Sequence, residues 1–125
     1  MNHLKNKKNL TVWDIWQKYS DTKPTQDAIV HWVADDEPIR LTYSALLKSA
    51  KTYADILRDS EINKGDVCAI IFKHNPEFYP IYLAVVSIGA IPAVLAYPNP
   101  RLHPEKFVQG IEGMSQRSGL DWILT

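Results

Sequence analysis

The sequence predicts an α/β layer fold, in which a β-hairpin precedes a β-α-β-α-β unit with a parallel sheet and helices packed on it. Asp66–Phe72 is a continuous apolar run, as in a strand that is covered on both faces, and Ile91–Ala96 is a second apolar run. The segment between them repeats large apolar residues at spacings of three and four, which is typical of one buried helix face. These residues are Phe78, Ile81, Tyr82, Val85 and Val86. Two apolar strands joined by a helix predict a right-handed parallel crossover.

Local signals mark the ends of this central helix. Asn75 offers a side-chain oxygen to cap it, Pro76 suits its first position, and Gly89 suits the left-handed residue that ends it. Pro80 lies inside the predicted helix, where a proline can cost about 3 kcal/mol. Burial of each large apolar side chain returns about 1.5–3 kcal/mol before entropy is subtracted, so we expect a helix with a bend near Pro80.

A membrane span is the alternative for this region. No charged residue occurs between Glu77 and Arg101, and a segment of that length could cross a bilayer. Several prolines and Gly89 interrupt the segment, however, and the hydrophobic period changes near that glycine. A buried helix, turn and strand are therefore favoured over a membrane span.

The composition is that of one globular domain of 125 residues. Its 14 basic and 14 acidic residues give a net charge of zero, which excludes bulk attraction to nucleic acid or anionic lipid. A single cysteine excludes an internal disulfide framework and fits a reducing compartment. The basic start leads into a polar segment, so we expect no secretory signal and a cytoplasmic location.

The chain begins with a polar, lysine-rich stretch. We expect residues 1–10 to form a mobile basic arm before a domain that spans residues 11–125. Thr11 can cap a short helix that follows this arm. The apolar face of that helix carries Val12, Ile15, Trp16 and Tyr19. Next to the lysines it could anchor to a membrane surface, but docking on its own domain is favoured.

Ala28–Val33 and Ile39–Leu41 are the predicted strands of a hairpin, and the acidic turn Ala34–Pro38 joins them. The acids of this turn, Asp35, Asp36 and Glu37, could ligate a metal. A solvated turn is favoured, because the sequence contains no second ligand cluster. His31 is expected to face outward or to be a hydrogen-bonded strand residue, since a lone histidine is weak evidence for catalysis.

Two further helices flank the central unit. Thr42 can cap a helix over residues 43–59, and the turn Glu61–Gly65 follows it. The predicted buried stripe of the helix over residues 43–59 consists of Tyr43, Leu46, Leu47, Ala50, Tyr53, Ala54 and Leu57. Pro104 can begin the other helix and Gly119 can end it. This helix carries Phe107, Ile111 and Met114 on one face. Gly110 and Gly113 weaken it by about 1 kcal/mol each relative to alanine, so it depends on packing.

Asp121–Thr125 is predicted to be another buried strand, and the chain stops within it. A complete domain rarely ends inside an apolar strand without a turn or a tail. We therefore expect a segment cut from something longer.

Ligands of open parallel sheets lie beyond the carboxyl ends of the strands. Those ends carry Lys73–Asn75 after the first strand and Tyr97–Arg101 after the second. Neither loop contains a glycine, so neither can cradle a phosphate as a glycine-rich loop does. His74 could act as an acid or a base, but a capping or loop-surface role is favoured for it. Arg101 could bind an anion, but an exposed loop charge is favoured.

Other motifs of catalysis are missing from the sequence. No CxxC, HExxH or GxSxG pattern occurs, and Cys68 lies inside an apolar strand, which favours a packing thiol over a nucleophile. The aromatic residues are not interleaved with basic ones, as they are in nucleic-acid platforms. The residues alone therefore identify no catalytic group and name no reaction.

One ordered set of residues runs through the stretch from Leu41 to Pro98. It consists of Leu41–Tyr43, Leu46, Ala54, Leu57, Lys64–Val67, Ala69–Ile70, Asn75, Glu77–Phe78, Gly89–Ala90, Pro92 and Pro98. This set resembles the N-terminal portion of the adenylate-forming enzymes, the AMP-binding acyl ligase superfamily. The similarity extends over nearly everything from Thr11 to Thr125. It implies an incomplete subdomain of the adenylate-forming enzyme fold.

The resemblance also implies an activity for the whole enzyme. Such ligases activate a carboxylic acid with ATP and Mg²⁺ to an acyl-adenylate, then pass the acyl group to coenzyme A or to a carrier-protein phosphopantetheine thiol. The implied partners are the remainder of the polypeptide and an acyl carrier protein or coenzyme A, without nucleic acid. The loop YPNPRLHPEKF is closer to the fatty-acyl-AMP ligases and to the loading modules of polyketide or nonribosomal peptide assembly lines.

The family's phosphate loop, acidic ribose-binding residue and catalytic lysine have no match in this chain. We therefore carry over no catalytic, cofactor-binding or metal-binding residue, and we expect the segment to be inactive alone. Two alternatives stay open. One is a stand-alone small-ligand or regulatory module that uses the Lys73–His74 and Tyr97–Arg101 loops. The other is an interaction domain that uses its open sheet edge.

Overall fold

The computed structural model describes residues 10–98 and 104–125. Most of the predicted basic arm, over residues 1–10, lies outside the described residues, as does the loop 99–103. The helices are α1 (Val12–Thr22), α2 (Tyr43–Asp59), α3 (Phe78–Ser87) and α4 (Pro104–Ser118). The strands are β1 (Asp27–His31), β2 (Ile39–Thr42), β3 (Val67–Ile70), β4 (Ile91–Val94) and β5 (Trp122–Leu124). The predicted order of elements and the α/β class are confirmed.

The strands form two sheets. β1 and β2 pair antiparallel as the predicted hairpin, while β4, β3 and β5 form a parallel sheet in that order. In the parallel sheet Cys68 lies opposite Pro92 on one side and Trp122 on the other. The parallel arrangement of the two apolar runs is therefore confirmed, with the strands shorter than the runs.

Burial separates the central strand of the parallel sheet from its neighbours. Cys68, Ala69 and Ile70 on β3 are fully buried, as predicted for a strand covered on both faces. The prediction that Asp121–Thr125 is a buried strand is wrong, because Ile123 on β5 is 51% exposed. Ile91 on β4 is exposed to the same extent. β4 and β5 are the outer strands of the described sheet, and each pairs with β3 alone among the described strands.

α2 forms as predicted and carries the core. The hydroxyl of Thr42 accepts a hydrogen bond from the Ala45 amide at 3.2 Å, which caps the first turn. Its buried side chains are Leu46, Leu47, Ala50, Ala54 and Leu57. One end of this stripe packs with α1 and the hairpin, and the other with β3 and α3.

α3 begins later than predicted. Asn75 does not cap the helix, because its side-chain oxygen accepts from the Glu77 amide in a tight turn before Phe78. Pro80 consequently falls in the first turn, where its missing N–H breaks no intrahelical hydrogen bond. The residues buried on α3 are Pro80, Leu83, Ala84 and Val85. Of the predicted stripe only Val85 is fully buried, and the other four residues are half-buried: Phe78, Ile81, Tyr82 and Val86.

α1 is held at its start by a capping box. Asp14 and Thr11 exchange hydrogen bonds between side chain and amide, so the predicted cap is confirmed. Only part of the predicted apolar face docks, however. Trp16 and the neighbouring Trp13 pack on the core. The other three predicted residues, Val12, Ile15 and Tyr19, remain exposed.

α4 starts at Pro104 and ends before Gly119, which takes a positive φ of 67°, as predicted. Phe107, Ile111 and Met114 are half-buried. No helix among the described residues combines the length and apolar character that crossing a membrane requires.

Candidate functional site

Polar side chains gather where β3 ends. The loop after β3 carries the predicted Lys73, His74 and Asn75. The structure adds His31 from the end of β1 and Tyr79 from α3 to the same place. Together with two phenylalanines they line a pocket of about 170 Å³, which we call the histidine pocket. Its lining consists of His31, Phe72, Lys73, His74, Asn75, Phe78 and Tyr79.

His31 is the buried polar residue of this pocket, with 3% of its surface exposed. Its Nδ1 lies 3.0 Å from the hydroxyl of Tyr79, and the tautomer decides which of the two donates the hydrogen. Burial lowers the pKa of His31 below its ordinary value of 6.5, and His74 lowers it further. The imidazole is therefore neutral at neutral pH. The sequence allowed His31 to face outward or to be a hydrogen-bonded strand residue. The structure shows that it is a hydrogen-bonded strand residue.

His74 links the loop after β3 to the hairpin. Its Nε2 donates to the main-chain carbonyl oxygen of Trp32 at 2.9 Å, and this nitrogen carries the hydrogen because a carbonyl can only accept. The ring of His74 also stacks on that of His31, with centroids 4.0 Å apart and planes inclined by 19°. The side chain is otherwise exposed.

Two hydrogen bonds fix the start of α3 next to the histidine pocket. The turn at Asn75 is closed by the 2.9 Å bond to the Glu77 amide. The carboxylate of Glu77 then accepts a hydrogen bond from the hydroxyl of Tyr53 on α2, and this bond raises the pKa of Tyr53. The local turn and the contact with α2 together set the position of Tyr79 below His31.

The histidine pocket offers hydrogen bonds and one exposed cation, Lys73, but no thiol or carboxylate lines it. Cys68 is fully buried within β3. Burial first, and then the charges of Asp66 and Asp121, raise the pKa of Cys68 to about 11, so it is a packing thiol at neutral pH. The turn acids Asp35 and Asp36 are exposed.

A second concavity lies between α4 and the sheet. This α4 groove has a volume of about 410 Å³ and is almost wholly apolar. Its lining consists of Ile71, Tyr97, Pro98, Phe107, Val108, Ile111, Glu112, Ile123 and Thr125. Tyr97 and Pro98 therefore face a different cavity from Lys73 and His74. Arg101, the other predicted binding residue, lies outside the described residues.

Sequence reasoning missed that His31 and Tyr79 belong to one cluster. They are 48 positions apart, and the pairing depends on how the hairpin packs on α3. The only sequence signal was a histidine inside an apolar strand, a position that requires a partner when it is buried.

Comparison with known proteins identifies the family of the chain. A sequence model of the family described as AMP-binding enzyme matches residues 16–112. The chain belongs to this family. Within the family, Vanchrobactin synthetase VabF of Vibrio anguillarum is 33% identical over 94 residues, which are 74% of this chain and 3% of that protein. Acetyl-coenzyme A synthetase of Shewanella frigidimarina is 36% identical over 66 residues, which are 51% of this chain and 10% of that protein.

The fold is also that of the AMP-binding family. The solved N-terminal subdomain of NpsA from Klebsiella oxytoca superposes with a TM-score of 0.74 at 24% identity. The match covers 91% of this chain and 27% of the solved subdomain. This chain therefore has the fold of the N-terminal subdomain of an adenylate-forming enzyme, and it spans about a quarter of that subdomain.

The described residues do not fit ATP or Mg²⁺. Within residues 10–98 and 104–125, no three His, Cys, Asp or Glu side chains lie close enough together to hold a metal ion. The three glycines with positive φ, Gly65, Gly89 and Gly119, lie before β3, β4 and β5, at the edge opposite to the histidine pocket. No glycine therefore shapes a phosphate-binding loop at the carboxyl ends of the described strands.

Proposed function

We propose that residues 11–125 form the N-terminal part of an ATP-dependent ligase that activates a carboxylic acid as an acyl-adenylate. The main support for this proposal is the family match over residues 16–112. The likeness to a solved N-terminal subdomain, of which the chain spans 27%, supports the assignment of the chain to one part of a larger enzyme.

The bare apolar surfaces of the fold support the proposal. Ile91 and Val94 on β4 and Ile123 on β5 are about half exposed, and Ile123 also lines the α4 groove. An apolar groove and two open strand edges are unusual on a finished domain. The remainder of the ligase polypeptide is the partner that covers them.

The chain alone is inactive in this proposal. ATP and Mg²⁺ bind to the remainder of the enzyme, because the described residues offer neither a phosphate loop nor a metal cluster. The histidine pocket contributes no reacting group. The proposed location is cytoplasmic, and the net charge of zero gives no reason to expect a nucleic-acid partner.

The acyl acceptor is coenzyme A or the phosphopantetheine thiol of a carrier protein. The coenzyme A in the name of one relative supports the first acceptor. The loop YPNPRLHPEKF supports the second, because it is closer to the fatty-acyl-AMP ligases and to assembly-line loading modules. We propose a fatty acid as the first substrate to test.

ATP–pyrophosphate exchange tests the proposal. The 125-residue chain, and the same chain extended by its downstream reading frame, are each assayed with acetate, a medium-chain fatty acid and an aromatic acid. We expect exchange only with the extended protein, and a Gly/Ser/Thr-rich loop in the added sequence. Exchange by the short chain alone contradicts its inactivity. A reading frame without such a loop contradicts the proposal that the chain is part of a ligase.

The histidine pocket supports a second candidate, a small-ligand module. Buried His31 and exposed Lys73 line a pocket at the sheet edge where ligands of parallel sheets bind. Saturable binding of ATP or of a carboxylate to the short chain, measured by calorimetry, would favour this candidate. No binding, together with a stable dimer through Trp122–Thr125, would favour an interaction domain.

A further inference from the structure

The hairpin and the parallel sheet meet at the histidine pocket. The hairpin contributes the side chain of His31 and the carbonyl of Trp32. The loop after β3 contributes His74, and α3 contributes Tyr79. Two hydrogen bonds, of 2.9 Å and 3.0 Å, cross this junction, and the two imidazole rings stack between them.

We propose that His31 and His74 form a proton-sensitive latch, which holds the hairpin against the loop after β3 and opens on acidification. The latch is closed when the ring of His31 is neutral. Tyr79 then bonds His31, and His74 donates to Trp32.

The geometry disfavours protonation of the closed latch. A proton on His31 is disfavoured because the site is 3% exposed and because the ring of His74, with its centroid 4.0 Å away, lowers the pKa of His31 further. Lys73 lines the same pocket and adds a positive charge. Ile39, which pairs with His31 on β2, is apolar.

No described carboxylate relieves this repulsion. None lines the histidine pocket. Glu77, at the start of α3, is already bonded to Tyr53. The acids of the hairpin turn, Asp35, Asp36 and Glu37, are exposed, and burial and His74 are the causes that act on His31. A protonated His31 therefore has no counter-ion among the described residues that line the pocket.

The sign of the pH effect follows from the lowered pKa of His31. Opening exposes the ring and returns its pKa towards the ordinary 6.5. Below that pH the open form binds more protons than the closed form, so acid shifts the equilibrium towards opening. At one pH unit below the ordinary value, the opening equilibrium increases by up to about tenfold for this ring.

Hydrogen–deuterium exchange of the 125-residue chain tests the latch. Protection factors, corrected for the chemical exchange rate, are compared between about pH 7.5 and about pH 5.5. We expect those of β1 and β2 to fall by about tenfold at the lower pH, while those of α2 stay constant. Unchanged hairpin protection overturns the latch. An equal loss in α2 also overturns it, because the whole fold is then opening.

A double variant separates the latch from other histidines. His31→Asn with His74→Gln retains groups that can bond Tyr79 and the Trp32 carbonyl but do not titrate, so we expect hairpin protection to be independent of pH. His103→Gln removes a different imidazole and is expected to leave the wild-type response. A double variant that responds like the wild type overturns the latch. An NMR titration of the wild type, independent of any variant, overturns it if the pKa of His31 is 6.5 or higher.

Discussion

The indole Nε1 of Trp122 donates a hydrogen bond to the carboxylate of Asp66 across 2.9 Å, and this bond ties β5 to the start of β3. The same carboxylate oxygen accepts from the Asn63 amide at 2.9 Å. A second bond runs the other way, from the Val67 amide to the carboxylate of Asp121 at 2.8 Å. Two aspartates therefore close the amino-terminal edge of the parallel sheet.

We predict that Asp66→Asn lowers the stability of the fold, because the charged acceptor is lost. The bond from Asn63 and then the bond from Trp122 lower the pKa of Asp66 below its ordinary 3.8, against a smaller effect of burial. The stability that the carboxylate contributes is therefore present above pH 3.8 and is lost as the pH falls through the lowered pKa. Urea unfolding followed by tryptophan fluorescence should show a lower midpoint at neutral pH and a weaker decline in acid.

Asp35→Asn is the matched control for this variant. Asp35 is exposed and takes a positive φ of 59°, which asparagine also accepts. We expect the wild-type midpoint and the wild-type decline in acid. An Asp66→Asn midpoint equal to that of the control would show that the bond to Trp122 does not stabilise the sheet.

Cys68 should be unreactive in the folded chain. Its pKa rises from the ordinary 9.0 to about 11, which lowers the thiolate fraction by about a hundredfold, and its surface is fully buried. Labelling with a chromogenic disulfide at mildly alkaline pH should therefore be slow until urea is added. Ala96→Cys in a Cys68→Ala background, which places a thiol at an exposed position, should label at once. Equally fast labelling of the two thiols in the native state would contradict this account.

Sequence predicted well those elements whose determinants are local. The bounds of α2 follow from the apolar stripe within the helix and from the Thr42 cap directly before it, so both signals are local. The start of α3 was missed because the oxygen of Asn75 closes a turn and Glu77 bonds Tyr53, which is 24 positions away. The spacing of residues within α3 does not indicate the hydrogen bond between Glu77 and Tyr53.

Burial depends on neighbours that a single segment does not reveal. β3 and β4 are both apolar runs, yet Ala69 is fully buried and Ile91 is half exposed, because β3 alone among the described strands of this sheet has a strand on each side. The histidine pocket depends likewise on the hairpin meeting α3. The polar loop Lys73–Asn75 could be predicted from the end of a strand, whereas its partners His31 and Tyr79 could not.

Native trypsin should cut α4 before it cuts α2. α4 faces the groove of about 410 Å³, whereas α2 buries five side chains. Local opening of α4 therefore exposes less apolar surface, and we expect cleavage after Lys106 and Arg117 to precede cleavage after Lys48 and Lys51. Mass spectrometry of a time course measures the order. In urea the four sites should be cut at similar rates, and simultaneous cleavage in the native state would count against a loosely held α4.

Gly89→Ala and Gly110→Ala should change stability in opposite directions. Gly89 takes a φ of +79° after α3, and a Cβ there would meet the Cγ of Lys64 at 2.8 Å. The left-handed conformation alone costs a non-glycine residue about 1–2 kcal/mol, so Gly89→Ala should lower the free energy of unfolding by at least that amount. Gly110 lies within α4 with nothing within 4 Å of its added Cβ, and alanine should raise helix stability by about 0.5–1 kcal/mol.

Chemical denaturation of the two alanine variants, beside the wild type, measures both changes. Both variants add the same methyl group. Opposite changes in the free energy of unfolding would therefore separate the effect of the backbone conformation at Gly89 from the general effect of alanine. If both variants are stabilised, Gly89 is not held in the left-handed region, and the tight junction between α3 and β4 that aligns the parallel strands must be formed in another way.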